Sequence, residues 1–274
     1  MRMSGMSWSD ASTAAANMSD TALAGVRAFL FDLDGTVTRD DRVPASSLAA
    51  MERLQAAGFV TLAVTGRPAG WCDLIARWWP INAVIGENGA FCFARTRDGR
   101  IDRDTFFNSG SETRARLDEL ARTATNLAAG LALSADNDWR ICDVAVDFAE
   151  DVHGASLDDA ERVRRHFEAA GATAKTSSIH VNAWFGDHDK QTTARHVLAE
   201  RFGISTDDQP ARVAYIGDAP NDEPMFAAFP LSFGVAGIRR FLPHMTAHPA
   251  VIAEGDGADG FVEIADRLLC AREG

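Results

Sequence analysis

The feature that most constrains this chain is a short apolar run that ends in two closely spaced aspartates. Residues 26–31 are almost all apolar, and the chain continues as Asp32-Leu33-Asp34-Gly35-Thr36. Such a run predicts a buried parallel strand, and the Gly-Thr pair predicts a tight loop after it. Two carboxylates this close repel each other unless a divalent cation or a shared proton relieves the repulsion. Taken alone, the pair is equally typical of a polar strand end and a turn.

Further apolar runs alternate with helical patterns along the chain. Helices are predicted over residues 46–57 and 70–79, the second one ending at Pro80. The predicted strands of this part of the chain are 28–31, 59–64, 83–85, 212–216 and 231–235. This alternation predicts an α/β fold with a Rossmann-like, doubly wound parallel sheet as its core.

Between residues 91 and 185 the pattern changes. Strand-like runs at 141–148, 173–177 and 179–185 are more amphipathic, and charged helical patterns at 111–129 and 157–170 lie among them. This composition is typical of an antiparallel sheet covered by helices on one face.

The predicted domain organisation follows from that change. We expect residues 91–185 to form an inserted α+β cap domain, and residues 25–90 and 186–274 to form the core. Residues 1–24 are rich in Ser, Ala and Met and are broken by Asp10 and Asp20. They predict a mobile tail rather than a signal peptide.

Composition narrows the classes of partner. The 274 residues carry a formal net charge of −12 with a pI near 5.0, which disfavours binding to nucleic acid. No apolar stretch reaches membrane-spanning length. The four cysteines are scattered without a paired motif, which favours a reduced, cytoplasmic protein. The oligomeric state is left open.

Four polar motifs each follow a predicted strand. They are Asp32–Asp34, Thr65-Gly66-Arg67, Glu87-Asn88-Gly89 and the segment Gly217–Asp222. The carboxyl ends of parallel strands share one edge of a sheet, and ligands bind at that edge. Four loops that converge there predict a functional site.

These residues resemble the haloacid dehalogenase superfamily of phosphatases. The motifs DLDGT at 32–36, VTGRP at 64–68, Lys190 and GDAPND at 217–222 occur in the superfamily's order. The phrase GENGA at 86–90 is similar to that of the subgroup with an α/β cap, subfamily IIB, which includes Cof-like and sucrose-phosphate phosphatases. The resemblance covers roughly residues 26–270.

The resemblance implies a catalytic role for both aspartates of the first motif. Asp32 would attack the phosphate and form an aspartyl-phosphate, and Asp34 would protonate the leaving oxygen and then activate water. The implied phosphate-binding residues are Thr65, Gly66 and Lys190. The implied Mg²⁺ ligands are Asp32, Asp34 through its backbone carbonyl, and Asp218, with Asn221 and Asp222 near the metal. Candidate substrate contacts are Arg67, Glu87 and Asn88.

The function that these roles imply is Mg²⁺-dependent hydrolysis of a small phosphate monoester, with a sugar phosphate as the expected substrate. A phosphomutase on a sugar phosphate could use the same aspartate pair. A dehalogenase is disfavoured because Asp34 is intact, and a non-catalytic binding protein is disfavoured because no acidic residue of the motifs is missing.

Structural interpretations compete with several of these assignments. Thr65 could end a strand, Lys190 could be a solvated side chain, and Asp218 could cap a turn. The Asp187-His188-Asp189 run is more typical of a charged loop than of a metal site. For Trp78, Trp79, Trp139 and Trp184, packing in the core or at the domain boundary is favoured over a platform that stacks on sugars.

Overall fold

The computed structural model describes residues 18–107 and 110–273. Within them the chain forms one large and one small β-sheet with helices on their faces. In chain order the strands are β1 (Ala28–Phe31), β2 (Val60–Val64), β3 (Ala83–Gly86), β4 (Phe91–Arg95), β5 (Ile101–Thr105), β6 (Ala132–Leu133), β7 (Val144–Asp147), β8 (Thr173–Thr176), β9 (His180–Trp184), β10 (Val213–Gly217), β11 (Leu231–Gly234) and β12 (Val251–Ile252). The α-helices are α1 (Asp20–Ala24), α2 (Ala45–Ala56), α3 (Ala69–Trp78), α4 (Ser111–Ala124), α5 (Leu157–Ala169), α6 (Lys190–Phe202), α7 (Gln209–Arg212), α8 (Glu223–Ala228) and α9 (Gly257–Glu273).

The large sheet has the strand order β12-β11-β10-β1-β2-β3-β4-β5. The strands from β12 to β3 are parallel, and β4 and β5 extend the sheet in antiparallel directions. All four residues of the central strand β1 are buried, because helices cover both faces of the sheet. The predicted α/β fold with a doubly wound parallel core is confirmed.

Alternate side chains of β1 enter two different apolar layers. Phe29 and Phe31 point to the layer that contains α9, where Phe261 stacks on Phe29 at 5.7 Å between ring centroids. Leu30 points to the opposite layer, which contains Val197 of α6 and Tyr215 of β10. Burial of each such side chain stabilises the fold by about 1.5–3 kcal/mol. The two layers fix the height of β1 and therefore the position of the loop that follows it.

The small sheet is antiparallel, with the order β6-β7-β9-β8. One of its faces packs on α4 and α5 through a third apolar cluster that includes Leu117, Val163 and Val181. Helix α5 begins at a capping box, in which Ser156 accepts a hydrogen bond from the Asp159 N–H and Asp159 accepts one from the Ser156 N–H. The small sheet and its two helices therefore form an antiparallel α+β arrangement between β5 and α6.

Two predicted boundaries are wrong. Residues 91–105 belong to the core sheet, because β4 pairs with β3 and β5 pairs with β4. The small sheet and its helices lie after that point, within residues 110–185. Residues 20–24 of the predicted tail form α1, whose Leu23 is fully buried in the core. The rest of the tail up to residue 17 lies outside the described residues.

No helix in the described ranges is long and apolar enough to cross a membrane.

Candidate active site

The carboxyl ends of β1, β2, β3 and β10 bring the four motif loops to one edge of the large sheet, as the sequence predicted. Asp32 is the first residue after β1, and its N–H donates to the carbonyl of Ile216 in the neighbouring strand at 3.0 Å. This bond fixes the backbone of Asp32, so that its carboxylate lies at the sheet edge.

Lys190 lies between two buried carboxylates. Its Nζ is 3.0 Å from Oδ1 of Asp32 and 2.8 Å from Oδ1 of Asp222. Lys190 is the first residue of α6, and Asp189 caps that helix by accepting a hydrogen bond from the Thr192 N–H. Burial disfavours the ammonium, but the two carboxylates outweigh this and raise the pKa of Lys190. The interpretation of Lys190 as a solvated side chain is therefore wrong.

Asp222 is a positioning residue in this arrangement. Its Oδ1 also accepts a hydrogen bond from the Tyr215 hydroxyl at 2.5 Å, and its Oδ2 accepts the N–H groups of Asp218 at 3.0 Å and Ala219 at 3.3 Å. These contacts hold the loop between β10 and α8 in place. Sequence reasoning missed Tyr215, since a tyrosine inside an apolar strand reads as a core residue.

A cluster of three carboxylates offers a cation site. Asp32, Asp218 and Asp222 each contribute an oxygen, and these atoms lie within 4.8 Å of one another. Oδ1 of Asp218 is buried and has no hydrogen-bond partner among the described residues, and the same holds for Oδ1 of Asn221. A Cβ at Gly35, which has φ of +69°, would lie 2.2 Å from Oδ2 of Asp218, so only glycine allows this close approach.

The electrostatics of the cluster favour a bound cation. Burial raises the pKa of Asp32 to about 7, against the lowering effect of Lys190. Burial and the charges of Asp32 and Asp222 raise the pKa of Asp218 well above its usual value. Three carboxylates face one ammonium, and a divalent cation with a preference for oxygen ligands would balance them.

The side chain of Asp34 is bound by Arg67, whereas that of Asp32 is bound by Lys190. Arg67 donates from Nε to its Oδ2 at 2.8 Å and from Nη2 to its Oδ1 at 2.7 Å. The same guanidinium donates to Glu150, which follows β7, and Oε2 of Glu150 lies 2.8 Å from Nε2 of His180. These carboxylates raise the pKa of Arg67 despite its burial. Arg67, a candidate substrate contact, is thus bound to protein groups on both sides.

The loop after β2 adopts a turn held by its own side chain. Oγ1 of Thr65 accepts a hydrogen bond from the Arg67 N–H at 3.0 Å, and the carbonyl of Gly66 accepts one from Arg140 at 2.9 Å. Asn88 lies close by, and both atoms of its buried side-chain amide are without a hydrogen-bond partner in the described part of the chain. Asn88 therefore keeps its full capacity for a ligand.

Glu87 has a structural position. It is fully buried, and its Oε1 accepts the N–H of Ala69, the first residue of α3, at 3.0 Å. Its carboxylate also accepts the N–H groups of Ile141, Cys142 and Asp143 from the loop before β7. The hypothesis that Glu87 contacts a substrate is wrong for this arrangement, because both oxygens are already engaged by backbone groups.

An enclosed pocket lies over the sheet edge. Core residues and residues of the small sheet contribute to it together: Asp32, Asp34, Gly66, Arg67, Asn221, Ser177, Ile179, His180 and Asn182. The last four, and Glu150, were not among the residues expected from the sequence. They belong to no motif, and only the packing of the small sheet over the core brings them to the site.

His188 and Trp184 pack against each other. Their rings are stacked at 5.5 Å between centroids, and burial lowers the pKa of His188. The indole of Trp184 is fully buried and donates to the carbonyl of His188 at 3.1 Å. The packing interpretation is confirmed for Trp184.

Comparison with known proteins supports the same class of fold. The family model of haloacid dehalogenase-like hydrolases matches residues 29–143. No curated protein sequence matches the chain.

Solved structures are similar over almost the whole chain. A Thermoplasma acidophilum protein superposes with a TM-score of 0.66 at 21% identity, over 89% of this chain and 98% of that one. A phosphatase of the haloalkanoate enzyme superfamily from Bacteroides thetaiotaomicron gives 0.62 at 18% identity, over 89% and 96%. Sucrose-phosphatase from Synechocystis gives 0.59 at 14% identity, over 89% and 98%. At these identities the similarity establishes the fold.

Taken together, the chain has a doubly wound core with carboxylates at one edge, and the segment that carries the first three motif loops matches the model of haloacid dehalogenase-like hydrolases. The resemblance to haloacid dehalogenase-like hydrolases that the sequence predicted agrees with the family match over residues 29–143, and the solved structures share the fold of the described chain.

Proposed function

We propose that the protein is a Mg²⁺-dependent phosphatase that hydrolyses a small phosphate monoester through an aspartyl-phosphate at Asp32. The observation that carries this proposal is the set of groups around that carboxylate. Lys190 is 3.0 Å from Asp32, the Asp218 and Asp222 carboxylates lie within the same cluster, and Asp34 faces the enclosed pocket two residues further on.

The proposed chemistry assigns a role to each group. Lys190 binds Oδ1 of Asp32, and we assign the other oxygen as the nucleophile that attacks phosphorus. Lys190 neutralises the charge of the phosphoryl oxygens, and the hydroxyl of Thr65 donates a hydrogen bond to them. Asp34, in its protonated form, donates its proton to the leaving oxygen, and the carboxylate that results removes a proton from the attacking water. Because Arg67 engages both oxygens of Asp34, Arg67 must release that carboxylate before the proton transfer.

The residues that would hold Mg²⁺ are Asp32 and Asp218, the backbone carbonyl of Asp34, and Asn221. The fit rests on the unpartnered oxygens of Asp218 and Asn221, since Asp222 already uses both of its oxygens. When bound, the ion supplies positive charge for the phosphoryl oxygens.

A sugar phosphate is the substrate class that the resemblance favours. Two of the structurally similar proteins are described as a sucrose-phosphatase and a subclass IIB sugar phosphatase. Location in the cytoplasm remains a prediction from the scattered cysteines, which are free in the structure.

The direct test is phosphate release from a panel of phosphorylated metabolites, with Mg²⁺ and with excess chelator. Wild type should release phosphate only with Mg²⁺, and Asp32→Asn should be inactive while its circular dichroism spectrum is unchanged. Asp207→Asn, which changes an exposed aspartate in the loop before α7, is the matched control and should retain activity. Conversion of a sugar monophosphate to an isomer without net release would instead indicate a phosphomutase.

A further inference from the structure

A second pocket, of about 630 Å³, lies beside the sheet edge that carries Asp32 and Asp34, here called the catalytic edge. Its walls are mainly apolar and include the indoles of Trp71, Trp79 and Trp139 with the side chains of Leu33 and Leu74. Such a pocket of large apolar side chains is of the size that accepts a small molecule.

These apolar side chains are exposed although the core offers ample burial. Trp71 is 39% exposed, Leu74 is 47% exposed and Trp139 is 57% exposed. Trp139 packs on Gly70 at the boundary between the two parts of the chain, as expected, but this contact leaves more than half of the side chain open to water. Neighbouring large apolar groups left open to water typically mark a binding site, because exposure of apolar surface is unfavourable until a ligand covers it.

The pocket joins the core to the small-sheet part of the chain. Trp139 lies in the short 3₁₀ helix Asn137–Trp139 and packs on Gly70 in the first turn of α3. A Cβ at Gly70 would lie 3.0 Å from Cβ and 3.2 Å from Cγ of Trp139. Even an alanine would therefore press against Trp139, so the absence of a side chain at Gly70 sets how closely this indole approaches α3.

This pocket adjoins the enclosed pocket at Asp32, where the proposed reaction takes place. Asp34 and Arg67 line both this pocket and the enclosed pocket at Asp32. The guanidinium of Arg67 also lies over the ring of Trp71, at 4.2 Å from its centroid. A group attached to the oxygen that Asp34 protonates would extend past Arg67 toward the tryptophans.

The polar groups of the pocket are few. Arg67 binds both Asp34 and Glu150, which leaves Thr38 and Asp41 as the other polar lining groups. A ring whose face is made of carbon and C–H groups suits this lining, with polar substituents at its rim.

We propose that the pocket lined by Trp71, Trp79 and Trp139 binds the leaving alcohol of the substrate, and that this alcohol carries a flat apolar ring face. The inference rests on the proposed phosphatase function and specifies its substrate. The ring is either aromatic or the C–H face of a sugar, and both stack on indole.

The experiment compares three esters: 2-naphthyl phosphate, glucose 6-phosphate and the ringless glycerol 2-phosphate. Trp71→Ala and Trp139→Ala should each lower kcat/KM for at least one ring ester about tenfold, the order of one lost aromatic stack. The value for glycerol 2-phosphate should change less than about twofold. The ring ester that loses more identifies the kind of ring.

Two further variants make the comparison specific. Trp78→Ala is the matched control, because Trp78 is 78% exposed and does not line this pocket. It should leave all three values unchanged. Gly70→Ala keeps every indole but displaces Trp139, and should lower kcat/KM for the ring ester more than for glycerol 2-phosphate.

Binding provides a readout that is independent of turnover. In the Asp32→Asn background, calorimetry with the preferred ring ester should show about tenfold weaker binding for Trp71→Ala and Trp139→Ala, as for one lost stack, and no change for Trp78→Ala. Equal losses for ring and ringless esters, or unchanged binding in both tryptophan variants, would overturn the pocket assignment while phosphate release upheld the phosphatase. If wild type released phosphate from none of the esters, the proposed phosphatase function would be refuted. If, in addition, the Asp32→Asn protein bound neither ring ester, the assignment of the tryptophan-lined pocket as a ring-binding site would also be overturned.

Discussion

Arg67 binds Asp34 through two parallel hydrogen bonds, one to each carboxylate oxygen. Paired donors of this kind are among the strongest polar contacts in proteins. The carboxylate that we propose as the general acid is therefore bound by a residue that also contacts Glu150 from the small-sheet part. Because Arg67 binds both Asp34 and Glu150, the position of the Asp34 carboxylate depends on how the small-sheet part packs on the core.

Glu150→Gln should weaken this connection. Burial would raise the pKa of Glu150, but hydrogen bonds from His180 and Arg67 outweigh it and lower that pKa to about 2. Loss of the charge should lower the free energy of unfolding by about 1–2 kcal/mol in urea denaturation. Glu161→Gln, which removes partly exposed helix ion pairs, should cost less than about 0.5 kcal/mol.

The effect of Glu150→Gln should depend on pH. A carboxylate whose folded pKa is depressed stabilises the protein fully above its unfolded pKa, here 4.5, and loses this contribution as the pH falls toward 2. The difference between wild type and variant should therefore shrink below about pH 4.5. A difference that stayed constant from pH 6 to pH 3 would show that the charge of Glu150 is not responsible.

Asp34→Asn should slow esters with poor leaving groups more than esters with good ones. A sugar alkoxide needs a proton as it departs, whereas a nitrophenolate scarcely does. Single-turnover rates for a sugar phosphate and for p-nitrophenyl phosphate give the comparison, with Asp32→Asn as the variant that should stop both. Equal factors for both esters would exclude Asp34 as the acid.

Mg²⁺ should stabilise the protein more at high pH than at low pH. The folded pKa of Asp32, about 7, exceeds its ordinary value of 3.8, so the folded protein binds more protons between these values. Without metal, the free energy of unfolding should fall as pH rises through that window. Bound Mg²⁺ should restore this free energy of unfolding at high pH, because its charge offsets the carboxylate repulsion that a proton on Asp32 relieves at low pH.

Thermal unfolding at pH 5, 6.5 and 8, with and without Mg²⁺, measures this effect. The rise in Tm on addition of Mg²⁺ should be greatest at pH 8 and should largely disappear in Asp218→Asn. A rise of equal size at each pH would contradict the assignment of the carboxylate cluster as the ion's site.

Lys190→Met should be both inactive and unstable. It removes the buried cation between Asp32 and Asp222, and breaking a buried ion pair costs about 3–5 kcal/mol. The sequence contains one other lysine, Lys175 in β8, which makes Lys175→Met a matched control. That control should change stability by less than about 0.5 kcal/mol. Comparable losses in the two variants would argue against a special role for Lys190.

Glu87→Gln should loosen the contact between α3 and the loop before β7. Its carboxylate accepts four backbone N–H groups, and an amide places a donor where an acceptor is needed. We expect a loss of about 1–3 kcal/mol, measured by urea denaturation, because buried N–H groups lose their partner. Glu119→Gln on the exposed face of α4 should be neutral, and an equally neutral Glu87→Gln would refute the structural role.

Much of the catalytic edge could be predicted from local sequence. The apolar run of β1 places Asp32 at a strand end, and the same reasoning places Thr65 and Asp218 at theirs, since parallel strands share their carboxyl edge. Motif order then added Lys190, which local pattern alone could not distinguish from a solvated lysine.

The rest depends on contacts between distant segments. Glu150, His180 and Asn182 reach the site only because the small sheet packs over the core. The strand Phe91–Arg95 is apolar in either assignment, and sequence pattern does not reveal that it pairs with β3 rather than with the insertion. Packing in the core or at the domain boundary was expected for the tryptophans, but a sequence pattern does not show how much of each indole the neighbouring segments leave exposed.

The Glu87 contacts also determine how the small-sheet part can move. Glu87 joins the start of α3 to Ile141, two residues after Trp139, so we expect a rigid rotation of that part to pivot near this point. Displacement grows with distance from a pivot, so Ser177 and Ile179, at the far end of β9, would travel further than Trp139. Opening would thus expose the carboxylates of the catalytic edge to solvent while the tryptophan-lined wall kept its shape, and a substrate could dock its ring before its phosphate is enclosed.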